Sequence, residues 1–297
     1  MTELAGQVLL SGVGMFILLS LILSSLYPAY RKLLLSTDFV IAAHCQLVFS
    51  LLALIISIIA TSLIFVPELS GVLVFDHCHE TSCAPHKPDV FSYSLVGSAL
   101  ILLALAVVSL ASWLVMRSIL KTRRWLSQLD SVANRQARNA EKSQYQYKIV
   151  ETNDVFAWCA GILKPQIYVS RGLIKQTNSN QLELILAHEQ HHLENRDNLR
   201  KFTMKWATLF WLKKPQTQLL SDFSSNLESQ SNRIVRQRTQ QGSQEKTQSN
   251  TVKQSIFDDD LNPQAIVVNI ALQTCLILLL VTCMISISHY GLEWLTT

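Results

Sequence analysis

The stretch LILAHEQHHLENRD, residues 184–197, decides how the rest of the chain is read. Its His188-Glu189-Gln190-His191-His192 fits the pattern H-E-x-x-H. On a helix, residues four apart lie one turn apart on the same face. His188 and His192 can then aim imidazole nitrogens at one metal ion, with Glu189 beside the open coordination position. Catalytic zinc lowers the pKa of its water to about 7, and a neighbouring carboxylate can take that proton and pass it to a leaving amine. His191 lies off that face. The plain alternative is a charged helix that matches by chance, on the order of one chain in a hundred at this length. Three His and two Glu within seven residues, 188–194, are a poor choice for such a helix.

Catalytic zinc needs a third protein ligand. No H-x-x-G-x-x-H continuation follows the motif, and Glu194 is too close in sequence to reach round the helix. Glu228, in LESQSNRIV after 35 intervening residues, is the candidate; the alternative is a solvated glutamate. The motif helix opens at TNSNQLE, 177–183, with Asn180 as N-cap and Glu183 completing a capping box.

Outside this stretch the chain is mostly apolar. Of 297 residues, 49% are hydrophobic and 15% charged, against about 25% charged in soluble domains. The deficit falls in four stretches: 6–27, 39–66, 93–116 and 265–288. Each exceeds the roughly 20 residues that cross a bilayer as a helix. The first lacks a basic leader and an A-x-A site, so it reads as a retained anchor. Of the 25 Lys and Arg, 22 lie between Arg117 and Lys253, two (Arg31, Lys32) between the first two spans, and Lys87 between the second and third. The positive-inside rule then puts 28–38 and 117–264 in the cytosol and both termini outside. The net charge of +4 reflects this bias and is no sign of direct nucleic-acid binding. The spans hold almost no ionisable residues, which speaks against a transporter; His44 is the exception.

The expected fold is therefore a membrane α-helical protein with four transmembrane helices, three plus one, and an inserted cytosolic α+β zincin-like metallopeptidase domain. Residues 1–116 form the three-helix region with an outer loop at 67–92. Residues 117–264 form the peptidase domain, and 265–297 the fourth helix and a short outer tail. Arg117 to Lys142 reads as a helical extension of the third span with Trp125 at the headgroups. Tyr145 to Ser170 reads as two or three short strands. Lys201 to Pro215, aromatic and basic, stops at a proline and either packs in the domain or lies on the membrane. Ser225 to Arg238 reads as a further helix, and 239–258, rich in Gln, Ser and Thr, as a mobile loop.

The layout resembles the BlaR/MecR-type membrane metallopeptidases, bacterial signal-transducing antirepressors. Three features carry the likeness. One is the order of three spans, cytosolic zinc domain and fourth span. The second is AGILKPQIYVSRGL, 160–173, which is similar to that family's G-x-x-x-P-x-I-x-x-x-x-G-L lead-in. The third is AHEQHHLENRDNLR, 187–200. HtpX and prenyl-protease peptidases share the zinc-helix pattern but differ in span order. The resemblance implies one catalytic zinc held by His188, His192 and Glu228, with Glu189 as base. It implies a second carboxylate in an E-x-x-x-D pattern, where this chain has Asn232. Asp197 reads as an orienter of helix or site, or as a surface charge paired with Arg196 or Arg200. The family's substrate-holding strand edge corresponds to Gln166, Ile167, Tyr168 and Val169, or those residues form a core strand. The family's C-terminal β-lactam sensor domain has no counterpart here, since only HYGLEWLTT follows the fourth span.

The outer loop carries DHCHETSCAPH, 76–86. Cys78 and Cys83 either form a disulfide or, with His77, His79 and His86, bind a metal such as Cu(I) or Zn(II). Cys45, Cys275 and Cys283, within spans, read as small apolar residues, and Cys159 as a reduced cytosolic core residue. The reading as a whole is a multi-pass bacterial inner-membrane zinc endopeptidase acting on a protein substrate, itself or a BlaI/MecI-type repressor. The alternatives are a non-catalytic signalling scaffold with a degenerate domain, or a quality-control peptidase.

Overall fold

A computed structural model describes residues 2–65, 78–79, 82–83, 95–134 and 145–244, and positions 271, 274, 275, 279 and 280. Among the described residues, three helices are long and apolar enough to cross a membrane: α1 (Thr2–Leu34), α2 (Phe39–Phe65) and α3 (Leu95–Val132). The fourth expected span, 265–288, lies outside the described residues apart from five positions, which are helical. Pro28 sits inside α1, near its basic end at Arg31 and Lys32. α3 runs unbroken across residue 116 as expected but ends at Val132, short of the expected Lys142, because 133–134 pair as a strand with 149–150; residues 135–142 lie outside the described ones. Trp125 on that extension is 46% exposed and packs 5.9 Å from Trp158.

Between α2 and α3, β1 (Cys78–His79) pairs antiparallel with β2 (Ser82–Cys83), with Cys78 opposite Cys83. Whether Cys78, Cys83, His77, His79 and His86 make a disulfide or a metal site rests on side chains outside the described ones.

Beyond α3 a four-stranded sheet forms in the order β3-β4-β6-β5: β3 (Ala133–Asn134), β4 (Tyr147–Val150), β5 (Ala157–Ala160) and β6 (Gln166–Ser170). β4 and β6 are parallel, and β5 lies antiparallel on the far side of β6. The glycines of the lead-in have a physical reason. Gly161 turns the chain between β5 and β6 at φ 113°, where a Cβ would meet Lys164 O at 2.6 Å. Gly172 opens the short helix α4 (Arg171–Gln176) against the turn after β4, and a Cβ there would overlap the carbonyl oxygens of Asn153 and Asp154.

Three helices follow: α5 (Ser179–Glu194), α6 (Asp197–Ala207) and α7 (Lys213–Gln244). The cap of α5 is Asn178, not the expected Asn180. Asn178 Oδ1 accepts from Gln181 N and Gln181 Oε1 from Asn178 N. The segment holds two overlapping N-x-x-[E/Q] frames, and the first one caps the helix. Pro215 does not stop a helix as expected. It occupies the first turn of α7, where its missing N–H has no partner to lose. The predicted helix 225–238 is thus the middle of a 32-residue one. Residues 239–244 continue α7, and the rest of the predicted loop, 245–258, lies outside the described residues.

α5 buries Leu186 and Ala187 against Ile167 and Val169 of the sheet, and α7 packs on it as well. The apolar face of α7 (Leu219, Phe223, Leu227) shares one core with Leu19, Leu23 and Tyr27 of α1 and Phe49, Leu52 and Ile56 of α2. Polar contacts reinforce that join. Asp222 accepts from Tyr27 Oη at 2.9 Å and from Arg31 at 2.6 and 3.1 Å. Arg233 pairs with Asp38 at 2.8 Å, and Asn226 donates to Gln46 at 3.1 Å.

Candidate metal centre

α5 presents His188 and His192 on one face, and α7 crosses it with Glu228. Ser231, fully buried on α7, donates from Oγ to His188 O at 2.8 Å and pins the two helices at this point. His188 Nε2 lies 3.2 Å from His192 Nε2. Glu228 Oε2 lies 3.3 Å from the first and 3.5 Å from the second. A tetrahedral zinc with bonds of about 2.0–2.1 Å separates its ligand atoms by about 3.3 Å. The three edges therefore fit one face of such a tetrahedron, and among the described residues this is the group able to hold a metal ion. His188, His192 and Glu228 also line a cavity of about 210 Å³, together with Trp158, Cys159, Glu189, Asp197, Asn198 and Lys201.

The chain reverses sharply after α5. Arg196 takes the left-handed conformation at φ 51°, and Asp197 then starts α6 at a helix N-terminus, which favours a negative charge. Asp197 Oδ2 lies 2.7 Å from His192 Nδ1, and its Oδ1 accepts from Arg200 at 3.1 Å. Asp197 is buried at 2% exposure, so the reading as a surface charge does not hold, although Arg200 is its partner as well as His192. Burial would lower the His192 pKa, but the bond to Asp197 and the carboxylates of Glu228, Asp197 and Glu189 raise it overall. Burial would raise Asp197, yet His192 and Arg200 hold it below its ordinary value. His188 is lowered by burial and by His192. Glu189 is raised by burial, against the pull of His192 and the Cys159 amide. Burial, Glu189 and Asp197 push the Cys159 thiol up to about 12, so it stays protonated beside the site.

Asn232 lies exposed on α7, one turn beyond Glu228. Among the described residues it is Asp197, from α6, that meets a ligand histidine from behind. His191 faces away and contacts Asn195; Glu194 accepts from Gln190 at 2.8 Å. The substrate-strand expectation at Gln166, Ile167, Tyr168 and Val169 needs correction. β6 is paired on both sides, by β4 and by β5, so it has no free edge to offer. The strand with a free edge beside the cavity is β5, whose Trp158 and Cys159 line it. Asn198 Nδ2 bonds Cys159 O at 2.9 Å and ties that edge to α6. Asn198 and Lys201 escaped the sequence reading. Lys201 lies four residues beyond Asp197, so helical spacing from that residue is a signal that points to it; Asn198, one residue beyond, has no such signal.

Residues 120–251 match the model of Peptidase family M48. M48 peptidases are zinc metallopeptidases. The matched segment holds the whole sheet, α4 to α7 and all three candidate ligands. The model is that of M48 and is not specific to BlaR/MecR-type peptidases. Searches of curated proteins and of solved structures give no match.

Proposed function

We propose that the chain is an integral membrane zinc endopeptidase whose site lies on the cytosolic side. The observation that carries this reading is the triangle of His188, His192 and Glu228, with edges of 3.2–3.5 Å. The M48 match over the same residues supports it. A zinc ion held there would supply an acidified water and polarise a scissile carbonyl. The protein's own groups do the rest. Asp197 fixes the ring of His192 through Nδ1, leaving Nε2 free to ligate. Glu189, half-buried on the adjoining face, would accept the proton of the attacking water and return it to the departing amine. An extended substrate pairing its backbone along the outer edge of β5, a mode that reads any sequence, would displace Asn198 from the Cys159 carbonyl and Glu189 from the Cys159 amide.

The domain limits follow the same reading: membrane helices in 1–116 and 265–297, peptidase in 117–264. The Lys and Arg bias supports both termini outside a bacterial-type inner membrane. The likeness of residues 160–173 and 187–200 to BlaR/MecR-type antirepressors supports regulated proteolysis of a BlaI/MecI-type repressor or of the chain itself.

Glu189→Ala in the full chain tests the mechanism. Cleavage of the chain or of a co-expressed repressor should be lost while zinc stays bound. Cleavage that persists in that variant overturns it.

A further inference from the structure

The turn between α6 and α7, residues 208–212, lies along α1 rather than against the sheet. Phe210 meets Phe16 edge-on at 5.7 Å, and Leu212 N–H donates to Ser24 Oγ at 2.9 Å. Trp211 packs 5.9 Å from both Tyr27 and Phe49. At 1.5 Å per residue, Ser24 is about 10 Å and Phe16 about 22 Å along α1 from Arg31. The turn thus sits beside the apolar stretch of a helix long enough to cross a membrane, well short of that helix's basic end.

Its surface and its backbone both suit that depth. Leu212 is 51% exposed, and Phe202, Trp206 and Phe210 are partly exposed. Lys205, Lys213 and Lys214 are exposed around them. Lysine stems can lie along apolar surface while their ammonium groups reach the headgroups, and anionic phosphates complement their charge. Non-helical backbone at membrane depth must be satisfied within the protein. Here Thr208 O accepts from Gln216 Nε2 at 2.8 Å and Trp211 N at 3.1 Å, Leu209 N donates to Trp206 O at 3.3 Å, and Ser24 takes Leu212 N.

We propose that the α6–α7 tip is a re-entrant lipid-binding element. It enters the leaflet beside α1, with acyl chains against Leu212 and its aromatic neighbours and the three lysines at the phosphates. The inference rests on α1 crossing the membrane and is independent of the peptidase reading. One consequence concerns the metal centre. α7 carries both Leu212's neighbour Lys213 and Glu228, about 24 Å apart from Leu212 to Glu228 along the axis, so the tip fixes the height of the site over the bilayer.

The test uses the full chain with its six native cysteines replaced and one returned, as Leu212→Cys or Thr239→Cys, each labelled with bimane. The chain is placed in vesicles of phosphatidylethanolamine and phosphatidylglycerol. Acyl-brominated lipid should quench the label at 212 at least several-fold more than at 239, and aqueous iodide should do the reverse. Equal iodide quenching at both positions, with no effect of brominated lipid at 212, overturns the proposal. If the cysteine-free chain does not fold, p-benzoylphenylalanine at 212 in the otherwise native chain replaces it. Lipid adducts there are expected on illumination. Their absence, while the same residue at exposed Leu105 of α3 yields them, is the contrary result.

Discussion

Asp197 Oδ2 stands 2.7 Å from His192 Nδ1, behind a ring whose Nε2 stands 3.2 Å from His188 Nε2. The pair places a buried carboxylate at the back of a candidate ligand. Its position depends on the reversal at Arg196, since Asp197 would otherwise continue round α5. Removing the charge with Asp197→Asn should weaken zinc binding about 10- to 100-fold, measured by competition with a chelating dye. An unchanged affinity contradicts the orienting role.

The same pair makes a pH prediction for metal-free protein. His192 is raised and Asp197 lowered. The stability they contribute is full between the ordinary carboxylate and imidazole values, about 4 to 6.5. It is lost as pH rises through the His192 value and as pH falls through the Asp197 value. His188 and His191, lowered by burial, act in the opposite sense, so the pair is read by difference: without metal, the Tm advantage of the native chain over Asp197→Asn should shrink between pH 6 and 8. With zinc the order reverses, because imidazole must be neutral to ligate, so affinity should rise from pH 6 to 8.

Arg196 holds a left-handed conformation that costs about 1–2 kcal/mol for a residue with a Cβ. Arg196→Gly should leave zinc affinity unchanged and shift stability from neutral to about 1 kcal/mol more stable. Arg196→Val should lower both stability and affinity, since the turn delivers Asp197. Equal behaviour of the two variants in thermal unfolding is the contrary result.

Gly172 has no room for a methyl group against Asn153 and Asp154. Gly172→Ala should destabilise the fold by about 1–3 kcal/mol, read as a lower Tm of the zinc-bound chain. A neutral Gly172→Ala would mean that the β4–β5 turn gives way freely.

Cys159 is held protonated, with its pKa pushed up to about 12. Its reaction with maleimide at pH 7.5 in folded protein should be far slower than that of a free thiol, and Cys159→Ala should retain zinc. Rapid labelling, or zinc loss in that variant, would make the thiol part of the metal centre.

What the sequence made legible follows from how local each signal is. Apolar length alone marks α1, α2 and α3, and i,i+4 spacing alone puts His188 and His192 on one face. Glu228 is readable as a candidate because a carboxylate on a later helix is what a third ligand requires. The partner of His192 is a harder case. It comes from a left-handed turn at an arginine, a conformation that local propensity disfavours. The pairing of β6 on both sides depends on how distant segments stack, so the free edge at β5 is invisible to period-two patterning. The use of Asn178 over Asn180 turns on one of two equivalent capping frames. The longest miss, the start of α7 at Lys213, came from a proline that can either end a helix or begin one.

The proposed site holds one zinc ion through His188, His192 and Glu228. Zinc content of the detergent-purified full chain, beside His192→Ala and Glu228→Ala, tests it most directly. About one zinc per chain is expected in the native protein, and loss in both variants. Zinc retained in full by Glu228→Ala, or none bound by the native chain after supplementation, would contradict it.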